Sequence, residues 1–276
     1  MQSPQFSHLS DLENRLALSA VHQPTPATRW KTECLHSHST PRLLIITKGQ
    51  GRVTVAGLTS GYGPNNVIYI PAHTLYSYEI SPTVFGYMLT IPSAMAGDWP
   101  EEPVHMRLRD VIAQKELISH VDSLERELKS DKEGHNRAAL YLLGILSVFI
   151  ERQLTDNPPK DTMARAATTS ARLVAAYTDL VERDFASGKG VSNYAASLGV
   201  TPTHLTRCCN QTCGKSAISV LQDRILFEAR ALLQTTKMPV KDIATLLGFS
   251  SAAYFTRSFQ GETKQTPSAF RKASRP

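Results

Sequence analysis

The residues best suited to do chemistry occur as a repeated pair. Residues 240–259 read VKDIATLLGFSSAAYFTRSF. Phe255 and Phe259 are spaced i, i+4 and share one helix face, so Thr256 and Arg257 must point away from it. Residues 191–209 read VSNYAASLGVTPTHLTRCC, where Leu205-Thr206-Arg207 matches Phe255-Thr256-Arg257 and the turn is one residue shorter. A guanidinium fits the O6/N7 edge of guanine and a Thr methyl fits thymine. A short helix behind a tight turn is the element that carries such side chains into a major groove. Arg207 also suits a phosphate clamp, and both roles stay open. Cys208, Cys209 and Cys213 lie on the first of these helices, and Cys34 is isolated. No His or Cys at zinc spacing completes a metal site there. Cys209 takes the place of the inward Phe259, and the three read as small packed side chains.

Several elements must position the repeated pair. In the second stretch Pro239 suits a first helical position. Ile243, Leu246 and Leu247 share a face, and Gly248 permits the left-handed turn that ends the helix. Ser250 or Ser251 can cap the next helix. In the first stretch Thr201-Pro202 supplies the cap and first residue. Between the units, residues 216–235 read as one helix with Ile218, Leu221, Ile225, Ala229, Leu232 and Leu233 inward. About 20 helical residues span about 30 Å, close to one turn of B-DNA. That length sets two short helices into successive grooves on one side of a duplex. Tandem units in one chain imply an asymmetric, directly read site, not a palindrome. A helix over residues 171–186, with Leu173, Val174, Tyr177, Leu180, Val181 and Phe185 inward, supports the first unit.

The charge distribution agrees. Residues 171–276 hold 14 Lys and Arg against 7 Asp and Glu, and the remainder holds 16 against 17, so the net +6 of the chain resides in the tandem half. That is the electrostatic footprint of a phosphate-binding surface. With 41% hydrophobic and 20% charged residues the rest is ordinary for a soluble protein. No apolar run is expected to span a bilayer, and the first twenty residues, with Asp11, Glu13 and Arg15, lack a signal-peptide core. A cytoplasmic, membrane-free protein is the expectation.

The order Asp242-Ile243-Ala244, Leu247-Gly248-Phe249-Ser250, Tyr254-Phe255-Thr256-Arg257-Ser258-Phe259, Thr266-Pro267 and Phe270-Arg271 resembles the DNA-binding domain of the AraC/XylS transcription regulators, over residues 171–274. The resemblance implies seven helices with two helix-turn-helix units joined by one long helix. It implies base-facing positions at Thr203, Thr206 and Arg207 in the first unit and at Ala252, Ala253, Thr256 and Arg257 in the second. Thr201, Ser250, Lys264, Thr266 and Arg271 are expected at the DNA backbone, with the first N–H groups after Thr266 able to hold a phosphate. Ala252 and Ala253 replace longer polar residues often found there, which weakens readout by the second unit.

Residues 1–29 read as a loose or partly ordered arm. Residues 30–91 read as β structure, with strands over 42–48, 52–56, 67–70, 76–80 and 84–91 and a turn-rich connection over 57–66. Their order, His36-x-His38, a Gly-x-Gly hairpin, then Ile70-Pro71-Ala72-His73, resembles a cupin-type ligand domain. In metal-binding cupins two early His, a Glu and a late His hold the metal, so His36, His38 and His73 are candidates. The expected Glu is replaced by Thr40-Pro41-Arg42, and an Arg there opposes a cation. An anion-binding or dry cavity is favoured, with no metal and no cofactor. Arg42 could grip a carboxylate in two-pronged fashion, and Tyr69, Tyr76 and Tyr78 could stack on or bond to an aromatic ring.

A charged helix is expected over residues 104–132, with Leu108, Val111, Ile112, Ile118, Val121, Leu124, Glu125 and Leu128 along its stripe. A second helix over 135–154, apolar from 138 to 150 except for Gly144 and Ser147, is expected to be buried on nearly all sides. The pair forms either internal core or a dimer interface, and the resemblance favours the dimer. The expected class is α+β and multi-domain. It comprises a cupin-like β-barrel or sandwich (1–100), a helical dimerisation pair (101–154), a linker (155–170) and an all-α DNA-binding domain (171–276). The expected partners are double-stranded DNA, a small-molecule effector such as an aromatic acid, a second copy of the chain and, for an activator, RNA polymerase. Two readings compete: a cupin-type metal-dependent enzyme or metal sensor using His36, His38 and His73, and a constitutive DNA-binding protein whose β domain only dimerises.

Overall fold

The computed structural model describes residues 14–274, so residues 1–13 of the expected arm lie outside the described residues. The N-terminal half is built on two antiparallel sheets. The larger has the order β1-β7-β2-β5-β8, with β1 Ala17–Val21, β2 Arg42–Lys48, β5 Asn66–Ile70, β7 Phe85–Thr90 and β8 Val104–Arg107. The smaller has the order β4-β3-β6, with β3 Gly51–Val55, β4 Leu58–Tyr62 and β6 Tyr76–Tyr78. Two separate sheets make a sandwich and not a closed barrel.

The central strand β2 explains the layers. Its sequence RLLIITK is apolar on both faces because both faces are covered. Leu43 and Ile45 join Val67, Tyr69 and Leu89 in a core shared with helices. Leu44 and Ile46 join Ile68, Ile70, Val53 and Tyr76 between the two sheets. Arg42 has the parity of Leu44 and Ile46, which sends its side chain into the space between the sheets.

Three strands depart from the expected reading. β1 falls in the stretch read as an arm and pairs along β7, Ala17 opposite Thr90. β4 falls in the stretch read as a connection and pairs with β3 through a tight turn at Ala56 and Gly57, both with positive φ. β8 falls where a helix was expected to start and pairs with β5, His105 opposite Ile68.

The first short helix, α1, is Trp30–Glu33. Helix α2, Val111–Leu128, begins at Asp110, whose carboxylate accepts from the Ala113 N–H at 2.9 Å. Its buried residues are Ala113, Leu117, Val121 and Leu124. Val111 and Ile112, placed on the inward stripe by the sequence, are exposed; the true stripe passes through Ala113 and Leu117 instead. Helix α3, His135–Asp156, buries Ala139, Leu143, Leu146, Phe149 and Ile150 against α2 and the large sheet. It is not buried all round, because Leu140, Tyr141, Ile145 and Val148 face outward and are exposed. Contrary to the expectation, α3 is long and apolar enough by composition to cross a membrane. A soluble protein's core helix passes the same test, and one face of α3 is packed in the core.

The linker is not featureless. It contains α4, Lys160–Ala166, and Arg165 donates to Thr59 O and Ser60 Oγ on β4. Seven helices follow: α5 Thr169–Asp184, α6 Val191–Ser197, α7 Pro202–Cys213, α8 Ala217–Thr235, α9 Val240–Leu246, α10 Ala252–Thr263 and α11 Pro267–Ser274. Their single core holds Tyr177, Tyr194, Leu205, Val220, Ile243, Phe255 and Phe259. Leu35 and Leu75 of the β half are buried in that same core. On α8, Ile218 is exposed and not inward as expected, whereas Leu221, Ala229, Leu232 and Leu233 are buried.

Candidate nucleic-acid interface and ligand chamber

Each short hairpin is set by a turn that only certain residues make. Gly199 and Gly248 have φ of 68° and 77°. At Gly248 an added Cβ would stand 2.4 Å from the Gly188 nitrogen and 2.6 Å from the Ala186 oxygen, so the turn of the second unit is seated on the backbone that follows α5. Thr201 Oγ1 accepts from the His204 N–H at 3.2 Å and caps α7, with Pro202 in its first turn. Ser251, of the two serines considered, caps α10 through the Tyr254 N–H at 3.1 Å. Pro239 is the residue before α9 and not its first helical residue.

Burial then sorts the faces. Leu205, Cys208, Cys209 and Cys213 point into the core from α7, and Phe255 and Phe259 do so from α10. Thr203 and Arg207 are exposed on α7, as are Ala253 and Arg257 on α10. Thr206, Ala252 and Thr256 are half-buried, and the Thr256 hydroxyl donates to Ala252 O at 2.8 Å. Arg207 Nη2 lies 2.9 Å from His204 Nδ1. Helix α8 is 19 residues long, about 28 Å, and joins the two units.

The expected backbone contacts are partly engaged within the chain. Arg271 donates to Leu233 O and to Met238 O, so part of its guanidinium ties α11 to the end of α8 and the segment after it. Lys264 adopts φ 60° as the residue that ends α10, and its ammonium donates to Gly261 O at 2.7 Å. Thr266 Oγ1 accepts from the Ala269 N–H at 3.2 Å, and that cap leaves other first-turn N–H groups of α11 for a phosphate.

In the β half, His36, His38, Arg42, Tyr76 and Tyr78 come together. Tyr76 OH lies 3.0 Å from His38 Nδ1, and the rings of Tyr76 and Tyr78 are parallel with centroids 6.2 Å apart. Arg42 is buried and donates to Thr40 Oγ1 at 2.9 Å; among the described residues no carboxylate pairs with it. Two candidates leave the cluster. Tyr69 points to the other face of the large sheet and stacks on Trp99 at 5.5 Å, because its parity in β5 is opposite to that of Ile68 and Ile70. His73 is exposed in a left-handed turn of φ 58°, its N–H spent on His38 O. The three histidines therefore do not converge, and among the described residues no group of three His, Cys, Asp or Glu could hold a metal ion.

The cluster also touches the helical half. The His36 ring stacks on Phe227 of α8, centroids 4.4 Å apart and 9° from parallel. Trp30 packs edge-on against Phe227 at 5.3 Å and Phe270 at 6.2 Å, and Arg230 donates to Cys34 Sγ at 3.1 Å. The sequence reading missed His204, Phe227 and Arg230. Phe227 carried a signal, since it falls off the inward stripe of α8 and an aromatic there needs a second partner.

Burial pushes the His36 imidazole down to about 4, with Arg224 and Arg42 adding to the effect and the hydrogen bond to Cys34 O opposing it. His38 is held well below its ordinary value by burial and by its charged neighbours. A buried neutral imidazole binds fewer protons than the same group unfolded, near 6.5. Stability from His36 is therefore complete above about pH 6.5 and is lost as the pH falls toward 4. Urea midpoints between pH 7 and 4.5 should fall more steeply for the native chain than for His36→Asn; parallel curves would contradict this.

Two helix-turn-helix units on a shared core, each presenting an outward arginine on a capped helix, define a DNA-binding protein joined to a two-sheet ligand domain. Residues 194–273 match the family model of a helix-turn-helix domain, and residues 26–143 match that of the AraC-like ligand binding domain. The chain belongs to the AraC family of transcription regulators. It is 23% identical over 242 residues to the arabinose operon regulatory protein of Salmonella typhimurium, covering 83% of this chain and 82% of that one. It is 22% identical to the transcriptional activator RhaS of Klebsiella pneumoniae, covering 86% and 87%. The solved structure of ToxT from Vibrio cholerae aligns with 12% identity and a TM-score of 0.43 over 94% of this chain and 96% of that one.

Proposed function

We propose that this regulator is a cytoplasmic activator whose DNA binding responds to a small organic anion held between the two sheets. One observation carries the reading: Arg42 is a buried guanidinium that no carboxylate among the described residues pairs with, at a cluster whose His36 wall stacks on the helix joining the two DNA-reading units. A buried charge without a counter-ion is costly, so a ligand carboxylate there gains a strong charge-assisted, two-pronged contact. The stacked rings of Tyr76 and Tyr78 make this an aromatic setting, which suits an aromatic acid. A ligand seated there acts on His36 and hence on Phe227, so occupancy biases α8 and the spacing of both units. RhaS, which is similar over most of its length, is a transcriptional activator, which supports activation here; RNA polymerase is then the proposed partner.

The test combines binding and coupling. Aromatic carboxylates are expected to raise the melting temperature of the native chain and not of Arg42→Ala, and the effective one should change operator affinity. In Phe227→Ala the ligand should still bind while operator affinity becomes indifferent to it. Equal responses in Phe227→Ala and the native chain would reject coupling through this stack. Failure of every anion to stabilise the protein would leave a β domain that only dimerises.

The chain is proposed to work as a homodimer through the outward face of α3. Leu140, Tyr141, Ile145 and Val148 form an exposed apolar row on one helix. Placing a charge there by Tyr141→Asp should convert the dimer to a monomer in sedimentation without moving the melting temperature of the monomer unit. An unchanged sedimentation coefficient would exclude this face.

A further inference from the structure

We infer that His204 is a positioning residue of the first recognition helix: it fixes the guanidinium of Arg207 in the pose that reads a base. This rests on the reading of Arg207 as a base contact. Arg207 Nη2 lies 2.9 Å from His204 Nδ1. An arginine nitrogen is always a donor, so Nδ1 must be the acceptor and the proton of the neutral ring sits on Nε2. That Nε2–H lies 3.7 Å from Cys208 Sγ, and Cys208 is buried in the core. The ring is thus held on its inner edge by a core thiol and presents its outer nitrogen to the arginine. One Nη2 hydrogen is spent on His204. The guanidinium keeps one two-pronged edge free, which is what guanine O6/N7 requires.

An exposed arginine is normally free to rotate and loses that freedom on binding, at about 0.5–1.5 kcal/mol for a long side chain. His204 removes part of this loss beforehand. The second unit lacks the device. Tyr254 stands in the place of His204, its ring packs on Phe249 at 5.7 Å, and Arg257 has no hydrogen-bond partner among the described residues. The first unit is therefore the one with a prearranged reading group.

The test uses the full chain and the duplex of highest affinity recovered by in vitro selection, beside the same duplex with the Arg207-dependent guanine replaced. His204→Leu keeps bulk without an acceptor. His204→Asn places Oδ1 as many bonds from Cα as Nδ1 stands and restores the acceptor. His204→Leu is expected to weaken binding to the selected duplex by about 3- to 10-fold and to leave the substituted duplex unaffected. His204→Asn should recover most of the loss, and His204→Leu should add nothing to Arg207→Ala. An equal loss on both duplexes, a loss that persists in the Arg207→Ala background, or no rescue by asparagine would overturn the assignment. If the native chain selects a sequence and Arg207→Ala keeps full discrimination at every guanine, the base-contact reading of Arg207 fails and the role of His204 falls with it. Selection that enriches no sequence would instead refute the DNA-reading function itself.

Discussion

Replacing Arg224 with leucine is expected to lower the unfolding free energy by about 3–5 kcal/mol, the cost of leaving buried charge without its partner. Arg224 lies on α8 and is 6% exposed. Its Nε is 2.7 Å from Glu182 Oε2 on α5, and its Nη1 is 2.9 Å from Glu228 Oε2 one turn on. The guanidinium also sits 3.9 Å over the Phe185 ring. Burial opposes its charge, while the two carboxylates hold it protonated far above the usual arginine value. Without the guanidinium, Glu182 and Glu228 face each other in a dry setting, and protonating one of them relieves the repulsion. The deficit of the variant relative to the native chain should therefore shrink as the pH is lowered from 7 to 5, since its folded form then binds the extra proton while the loss from His36 is common to both. Urea unfolding at the two pH values measures both effects. Removing all three side chains together, with leucine at 182, 224 and 228, should cost much less than removing Arg224 alone. A loss below about 1 kcal/mol for Arg224→Leu would mean that water reaches and screens the site.

Removing Arg207 is expected to cost about 1–3 kcal/mol of discrimination at one guanine of the operator, and removing Arg257 the same at a second guanine about one helical turn away. Both side chains are exposed on the faces of α7 and α10 opposite the buried Leu205 and Phe255. The double variant should bind all duplexes with similar affinity, because the basic surface still attracts phosphate. Competition titrations with single-base substitutions read this out. The alternative clamp role has a different signature: affinity falls alike for every sequence, and the slope of log affinity against log salt drops by about one. A palindromic optimal site within one chain's footprint would contradict the tandem arrangement.

Sequence legibility followed the physics of each element. The DNA-reading half was legible because its signals are local: a glycine that must turn left-handed, a Thr-Pro start, and an i, i+4 aromatic pair. β4 was not, because LTSGY has no apolar alternation to mark a strand; β3 and the turn at Gly57 make it one. β8 escaped notice because four residues are too few for the period-2 alternation of Val104 and Met106 to stand out beside the apolar stripe that starts at Leu108. The phase of α2 was misjudged because Val111 and Ile112 are exposed, and Ala113, a weaker hydrophobe, marks the buried side. α3 was read as buried all round because composition reports apolarity and not whether a second surface exists to cover it. At the candidate site, parity along β5 could have excluded Tyr69 once strand limits were known. The stack of His36 on Phe227 joins residues far apart in sequence, and no short-range pattern encodes it.

Leu35 and Leu75 belong by sequence to the sensor half, yet they are buried among the side chains of the DNA-binding helices. The two halves are therefore neighbours in thermodynamics as well as in space. Calorimetry of the intact chain should show one cooperative transition, not two. A chain cut at the linker should lose that mutual support and expose, on each fragment, an apolar scar where the other half had been.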